Sequence, residues 1–377
     1  MVRASFRPAW AEVDLDAVQA NACALVKLAA PAALCAVVKA DAYGHGAPAV
    51  ARAALSGGAG WLAVALVDEG IELREAGIDA PVLVLSEATG AAAAAGAEAG
   101  LTFTVCSPAG LDTLALVAGG GRRIAVHLKV DTGMHRLGVP PEQALDLARR
   151  LAGSEGLRFE GLWTHLAVAD VEGDPFTAVQ LQRFEEVRAV LGSAGLRPAL
   201  LHAANSAGAI AHPASRYDMV RCGIALYGYP PVGVPGELGL RPALSLRARV
   251  SALRPLPAGA RPSYGRRRPL PSDAVVATVP LGYADGVPRR LLDAGAAGFL
   301  VGGRRRPLAG VVTMDQLMLD LGADGDVRVG DEVTLIGEQG AERITAEDWA
   351  AWLGTISYEV LTGIGPRVER RYRGGEG

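Results

Sequence analysis

Residues 34–46 read LCAVVKADAYGHG. An apolar run, Leu34 to Val38, delivers one lysine, Lys39, and then breaks into Asp41, Tyr43, Gly44, His45 and Gly46. A short continuous apolar run bounded by turn residues has the composition of a parallel strand buried on both faces. A lysine at the C-terminal end of such a strand emerges from a dry interior into a loop, where α/β folds place their chemistry. Burial disfavours the ammonium form, so that amine can attack a carbonyl or take a proton. The same position also suits a lysine that simply extends its ammonium to water from a strand end.

Seven more runs of this kind follow: Trp61–Leu66, Pro81–Ser86, Leu101–Val105, Ile124–Val130, Phe159–His165, Leu200–Asn205 and Met219–Leu226. Between most of them lie stretches with the length and spacing of helices, such as Val67–Ala76, Pro108–Val117, Pro141–Leu151 and Thr177–Leu191. Ahead of them, residues 14–29 (DLDAVQANACALVKLA) have helical spacing, with Asp14 or Asp16 as the expected N-cap. The low-complexity stretch Gly90–Gly100 reads as a plain helix. Strands alternating with helices predict right-handed βαβ units, and eight of them predict a (β/α)8 barrel. The alternative, a doubly wound sheet, lacks a GxGxxG after the first strand.

Around Tyr229–Gly239 (YPPVGVPGELG) the alternation stops, which places a domain boundary there. The expected organisation is a barrel over 10–232 and a mostly β domain over 233–377, with residues 1–9 packed on the second. Leu244–Ala252, Val275–Val279, Phe299–Val301, Gln316–Leu321 and Val333–Ile336 read as its strands, and Ala346–Leu353 as a helix capped by Thr345. The hexapeptide GRRRPL occurs at Gly265–Leu270 and Gly303–Leu308, and reads as a solvated hairpin tip. With 377 residues, half of them hydrophobic and a formal net charge of −3, the chain is not disordered and is unsuited to a nucleic-acid partner held through phosphates. Four dispersed cysteines and no run of 18 apolar residues lead us to expect neither a zinc or disulfide framework nor a membrane span, and a cytoplasmic location.

If the eight strands close, their C-terminal ends bring Lys39, Lys129, Asp131, His165, Asn205, Ser206, Arg221 and Gly223 to one mouth. Two lysines, an arginine and a histidine form a cationic cluster suited to an anionic ligand. The loops after strands seven and eight (Ser206, and Gly223 with Ile224) are the usual phosphate cradle of this fold. A phosphate site facing a lysine on the first strand suggests pyridoxal 5′-phosphate held as a Schiff base. Taken singly, His165 could equally be a satisfied core histidine and Arg221 a structural ion pair.

VVKADAYGHG at Val37–Gly46 resembles the lysine motif of the alanine racemase family. Similar blocks follow in order: HLKVDTGMHRLG (His127–Gly138), THLAVAD (Thr164–Asp170), HAANS (His202–Ser206), VRCGIALYG (Val220–Gly228), PSYGR (Pro262–Arg266), LGYADGVPR (Leu281–Arg289), TMDQLMLDLG (Thr313–Gly322) and SYEVLTGIGPRVERRY (Ser357–Tyr372). The resemblance implies a barrel plus a C-terminal β domain, working as a head-to-tail homodimer with shared active sites. It implies a small amino-acid substrate and interconversion of L- and D-alanine for peptidoglycan.

By that resemblance Lys39 holds the cofactor and acts as base on one face of the substrate Cα. Tyr264, from the other subunit, acts on the opposite face. A phenol titrates near pH 10, so its use as a base needs positive neighbours, which the family supplies at His165 and Arg221. Arg221 would face the pyridine nitrogen without giving up its proton. Tyr43, His165, Asn205, Ser206, Arg221, Gly223, Ile224 and Tyr358 match cofactor-binding positions. Arg136 matches the arginine that meets the substrate carboxylate, Lys129 the lysine that some members carbamylate, and Met314 with Asp315 positions near that carboxylate. Val311 stands where many relatives carry an arginine lining the outer access corridor. The alternatives are a broad-specificity racemase, a barrel-type amino-acid decarboxylase and a non-catalytic pyridoxal-phosphate carrier. Decarboxylases of that build pair the pyridine nitrogen with a carboxylate, and carriers resemble the barrel alone.

Overall fold

The computed structural model describes residues 6–118, 123–231, 238–323 and 325–375. The chain divides into two compact units. Of the described residues, one takes 15–42, 46–118, 123–231, 238–242 and 375; the other takes 6–14, 43–45, 243–323 and 325–374. The expected boundary at 232/233 and the first five residues lie outside the described residues.

The chain opens with β1 (Ala9–Asp14) and the helix Leu15–Ala29. Eight parallel strands follow: β2 (Ala33–Val37), β3 (Trp61–Val64), β4 (Val82–Glu87), β5 (Thr102–Val105), β6 (Ile124–Lys129), β7 (Leu157–Trp163), β8 (Leu200–His202) and β9 (Met219–Cys222). They neighbour one another in the order β8-β7-β6-β5-β4-β3-β2-β9. Backbone bonds from Asp218 N to Leu201 O and from Arg221 N to Ala204 O, both 3.0 Å, bring β9 beside β8, so the barrel nearly closes. The expected (β/α)8 architecture is what the backbone forms. Apolar side chains along these strands, among them Leu34, Leu62, Leu83, Phe103, Val126, Leu128 and Leu162, are 0–1% exposed. Burial of each such residue contributes about 1.5–3 kcal/mol before conformational entropy is subtracted. The intervening helices fall where the spacing predicts, including Gly90–Glu98 in the alanine-rich stretch and Pro108–Val117, capped by Ser107.

The other unit holds β10 (Leu244–Arg249), β11 (Ala252–Leu256), β12 (Ala274–Val279), β13 (Gly298–Val301), β14 (Arg304–Pro307), β15 (Leu317–Asp320), β16 (Glu332–Gln339), β17 (Glu342–Ile344) and β18 (Glu369–Arg373). One sheet runs β14-β13-β16-β10-β1-β18 with β17 beside β16, and a second runs β11-β12-β15. Residues 10–14, assigned to the barrel from sequence, instead pair antiparallel with β10 and parallel with β18. Asp14 accordingly ends a strand, where its carboxylate accepts from Arg373 at 2.9 Å. The helix Ala346–Leu353 begins at the predicted cap, with Thr345 Oγ1 accepting from Asp348 N at 3.0 Å. Its Trp349 packs on Phe299, ring centroids 5.6 Å apart, and donates to Leu335 O. Of the two GRRRPL copies, the second turns at Gly302–Gly303 between β13 and β14 and fits the hairpin expectation. The first does not. It belongs to a short 3₁₀ turn, Tyr264–Arg266, followed by irregular chain in which Arg267 pairs with Asp293. Among the described residues no helix is long and apolar enough to cross a membrane.

Candidate active site

Lys39 lies two residues beyond the end of β2 and starts a short helix, Lys39–Gly44. That turn is left-handed: Ala40, Asp41, Ala42 and Tyr43 all have φ between 50° and 53°. The left-handed form costs an L-residue roughly 1–2 kcal/mol, so four in a row need external ties. Within the barrel unit Glu69 supplies one, its Oε1 accepting from Ala40 N at 2.6 Å and its Oε2 from Ala65 N at 2.7 Å. Asp41 supplies another, accepting from Ala47 N at 2.8 Å. The Lys39 amine is shifted below its ordinary pKa, by burial first and then by the Arg136 cation, while Glu69 pulls the other way. Glu69 was not nominated from sequence. Its signal was an acidic residue three positions into a helix that follows a strand end.

Lys129 ends β6 almost fully buried, with its Nζ 4.7 Å from the centre of the Trp163 ring. Burial, with help from Arg136 and Arg221, brings its pKa down to about 8. Arg136 is exposed on the loop beyond β6, where Asp131 Oδ1 accepts from the Gly133 and His135 amides at 2.9 and 3.0 Å.

Arg221, on β9, is 3% exposed and held through both terminal nitrogens. Its Nη1 meets His202 Nδ1 at 2.8 Å, and its Nη2 donates to Thr164 O at 2.8 Å and Ala203 O at 3.0 Å. Its guanidinium lies over Trp163 at 4.6 Å, and burial lowers its pKa only to about 10, so it stays a cation at neutral pH. His165 Nδ1 lies 3.3 Å from Arg221 Nη2. Burial and the Arg221, Arg136, Lys129 and Lys39 charges push the His165 pKa well below its usual value. The expected histidine cation is therefore a neutral imidazole, because four cations already surround a dry site.

Asn205 caps the helix Ser206–Ala211 by accepting from Gly208 N at 2.9 Å. Ser206 Oγ accepts from Gly223 N at 3.0 Å and lies 3.4 Å from Ala225 N, and Ile224 is buried beside them. The barrel thus brings Lys39, Lys129, Arg136, His165, Ser206, Arg221 and Gly223 to the C-terminal ends of its strands. Lowered-pKa amines, a buried guanidinium, a hydroxyl and turn amides fit an anionic, aldehyde-bearing cofactor such as pyridoxal phosphate.

In the strand-rich unit, Tyr43 and Tyr358 lie with ring centroids 6.0 Å apart. Tyr264 is 72% exposed, between Ser263 and Arg266, whose φ values of 70° and 46° are both left-handed. Ser263 Oγ donates to Val311 O at 2.6 Å, and a Cβ on Gly310 would sit 2.5 Å from Pro262 O, so only glycine allows this approach. Val311 itself is 1% exposed. It is buried within its unit, where its carbonyl accepts from the Tyr264 turn. Met314 is exposed, and Asp315 accepts from Arg367 at 2.7 Å.

A nearly closed parallel barrel with a half-buried lysine just beyond its first strand and a cation-rich mouth, continued by a strand-rich unit, defines a barrel protein whose mouth suits an anionic ligand. Models of the alanine racemase N-terminal and C-terminal domains match residues 13–231 and 243–372. The chain is 50% identical over 372 residues to the alanine racemase of Symbiobacterium thermophilum, covering 98% of each. It superposes with a TM-score of 0.92 on the crystal structure of alanine racemase from D-cycloserine-producing Streptomyces lavendulae, at 39% identity and 98% coverage of both chains. The TM-score is 0.90, at 36% identity, with the Bacillus anthracis alanine racemase solved with bound L-Ala-P, covering 98% of this chain and 96% of that one. The chain belongs to the alanine racemase family, whose members are isomerases.

Proposed function

We propose that this protein interconverts L- and D-alanine with pyridoxal 5′-phosphate, supplying D-alanine for peptidoglycan in the cytoplasm as a homodimer. The observation that carries the reading is Lys39, an amine of lowered pKa just beyond β2, near Arg136 and with the buried Arg221 in the same barrel mouth. When bound, pyridoxal phosphate supplies an electron sink for the carbanion at the substrate Cα. Lys39 Nζ takes or returns the proton on one face of Cα, and the Tyr264 hydroxyl oxygen does so on the other. Arg136 pairs with the substrate carboxylate. Ser206, Gly223 and Ile224 hold the phosphate, to which the family resemblance also assigns Tyr43 and Tyr358. Arg221 would face the pyridine nitrogen and keep its own proton. An arginine there would leave the cofactor a weaker electron sink, which would favour return of a proton over side reactions. Neutral His165 accepts from or donates to its neighbours without adding charge.

Loss of optical rotation from either enantiomer, with solvent deuterium entering at Cα, is the expected result. Borohydride treatment of the coloured protein should fix the cofactor to the peptide containing Lys39. Exchange without loss of rotation would overturn the two-base reading, and a label on another lysine would overturn the role of Lys39.

A further inference from the structure

Arg221 ends a line of buried polar groups that crosses the barrel interior. His202 receives Arg221 Nη1 on its Nδ1 at 2.8 Å, and its Nε2 meets His127 Nδ1 at 2.9 Å. His127 Nε2 in turn faces Glu160 Oε2 across 3.4 Å. That separation is long for a hydrogen bond, yet both atoms are buried and have no other partner among the described residues. Both imidazoles are fully buried. Glu160, near the start of β7, also takes Arg158 and lines a cavity of about 840 Å³ among the N-terminal ends of β3 to β7.

The two ends dictate the middle. A guanidinium only donates, an ionised carboxylate only accepts, and a neutral imidazole does one of each. Arg221 therefore claims the lone pair of His202 Nδ1, which puts the His202 proton on Nε2. That proton is given to His127 Nδ1, so the His127 proton sits on Nε2, toward Glu160. The carboxylate requires the same arrangement from its side. Burial keeps both rings neutral, while His127 and Arg158 hold the Glu160 carboxyl below the usual range against the burial that would raise it. The packing is shaped for the line. A Cβ on Gly161 would sit 2.6 Å from the His127 ring, and Trp163 stacks on His202 at 5.5 Å with 10° between planes.

We propose that His127 and Glu160 are positioning residues for Arg221, locking His202 as its acceptor through a one-way chain of protons that ends at the far mouth of the barrel. This rests on the reading that Arg221 faces the cofactor ring, since only then does a looser guanidinium slow the reaction. Two measurements on the holoenzyme separate the two claims. In protein labelled with ¹⁵N-histidine, both rings should show an unprotonated Nδ1 and a protonated Nε2 at neutral pH. A proton on either Nδ1, or two protons on either ring, overturns the relay whatever the enzyme's activity.

The second measurement compares His127→Gln with His127→Met. Glutamine can accept from His202 and donate to Glu160 in the same direction, whereas methionine only fills the space. His127→Met should lose about tenfold in kcat with KM little changed, and His127→Gln should retain several times more of kcat than His127→Met. Equal or better activity for methionine would show that packing alone matters and overturn the proposal. If His127→Met does not fold, the imidazole spectrum of the unsubstituted enzyme still decides the relay. Correct tautomers in a protein that does not racemise alanine would instead remove the functional reading while leaving the relay intact.

Discussion

The barrel mouth and the Tyr264 turn hold their proposed functional groups in opposite ways. Around Arg221 the terminal nitrogens are held: two carbonyls, the His202 imidazole and an aromatic face engage a side chain that is 3% exposed. Around Tyr264 the backbone is held, by Ser263 to Val311 and by the Gly310 approach, while the phenol is 72% exposed. A group fixed by its own chain can be tuned by burial, as Lys39 and Lys129 are. A group held only by its backbone is left for something outside its unit to complete, which fits a contribution to a partner copy. The strain is invested in both places, in the left-handed turn after Lys39 and at Ser263 and Arg266, and strained backbone persists only where surroundings over-determine it.

The largest effect should come from the tuned end. Lys39→Ala should lower kcat/KM by more than about 10⁴-fold and remove the coloured cofactor band, since one residue serves as both anchor and base. Tyr264→Phe should keep the band and lose about 10²–10⁴-fold. Enantiomers have an equilibrium constant of unity, so kcat/KM must fall equally in both directions, and the defect shows instead as Cα exchange of one enantiomer without racemisation. Unchanged racemisation would break the contrast by showing the exposed turn to be idle. Mixing the two inactive variants sharpens it further. If the groups come from different copies, random mixed dimers should regain about one quarter of wild-type activity; no regain would place both groups in one chain.

Intermediate effects test the buried side. Arg221→Met strands the His202, Thr164 and Ala203 acceptors and should cost roughly 3–5 kcal/mol of stability, read by denaturant unfolding. Lys129 has a folded pKa of about 8 against an ordinary value of 10.5. Between those values the unfolded chain binds the extra proton, so stability should rise with pH across that window and be flat below it. Lys129→Met should remove that slope and gain on the order of 3 kcal/mol at neutral pH, unless the amine is capped. The neutral fraction near pH 8 is also the form that adds carbon dioxide to give a carbamate and a proton. A ¹³C-bicarbonate signal lost in Lys129→Met would show it. The smallest effect belongs to Ser263→Ala, which loosens the Tyr264 turn by one hydrogen bond. A drop in kcat of about tenfold or less, with the cofactor band unmoved, is expected.

Strand periodicity and turn residues are local properties, and they sufficed to place eight barrel strands, the lysine at the end of the first, and Thr345 as a cap. The family motifs lie in those same local runs, so most candidate residues could be named by number. What no run of residues could reveal was set by contacts between distant ones. β1 joins the strand-rich sheet only because β10 and β18 lie on either side of it. His165 loses its charge because four cations and a dry site meet there. Val311 is buried by the packing of its own unit. Glu69, and the line of His202, His127 and Glu160 behind Arg221, emerge only once the strands stand side by side. Periodicity decides which face of a strand is apolar, but charge state and hydrogen-bond direction depend on burial and on partners tens of residues away, and those exist only in the folded barrel.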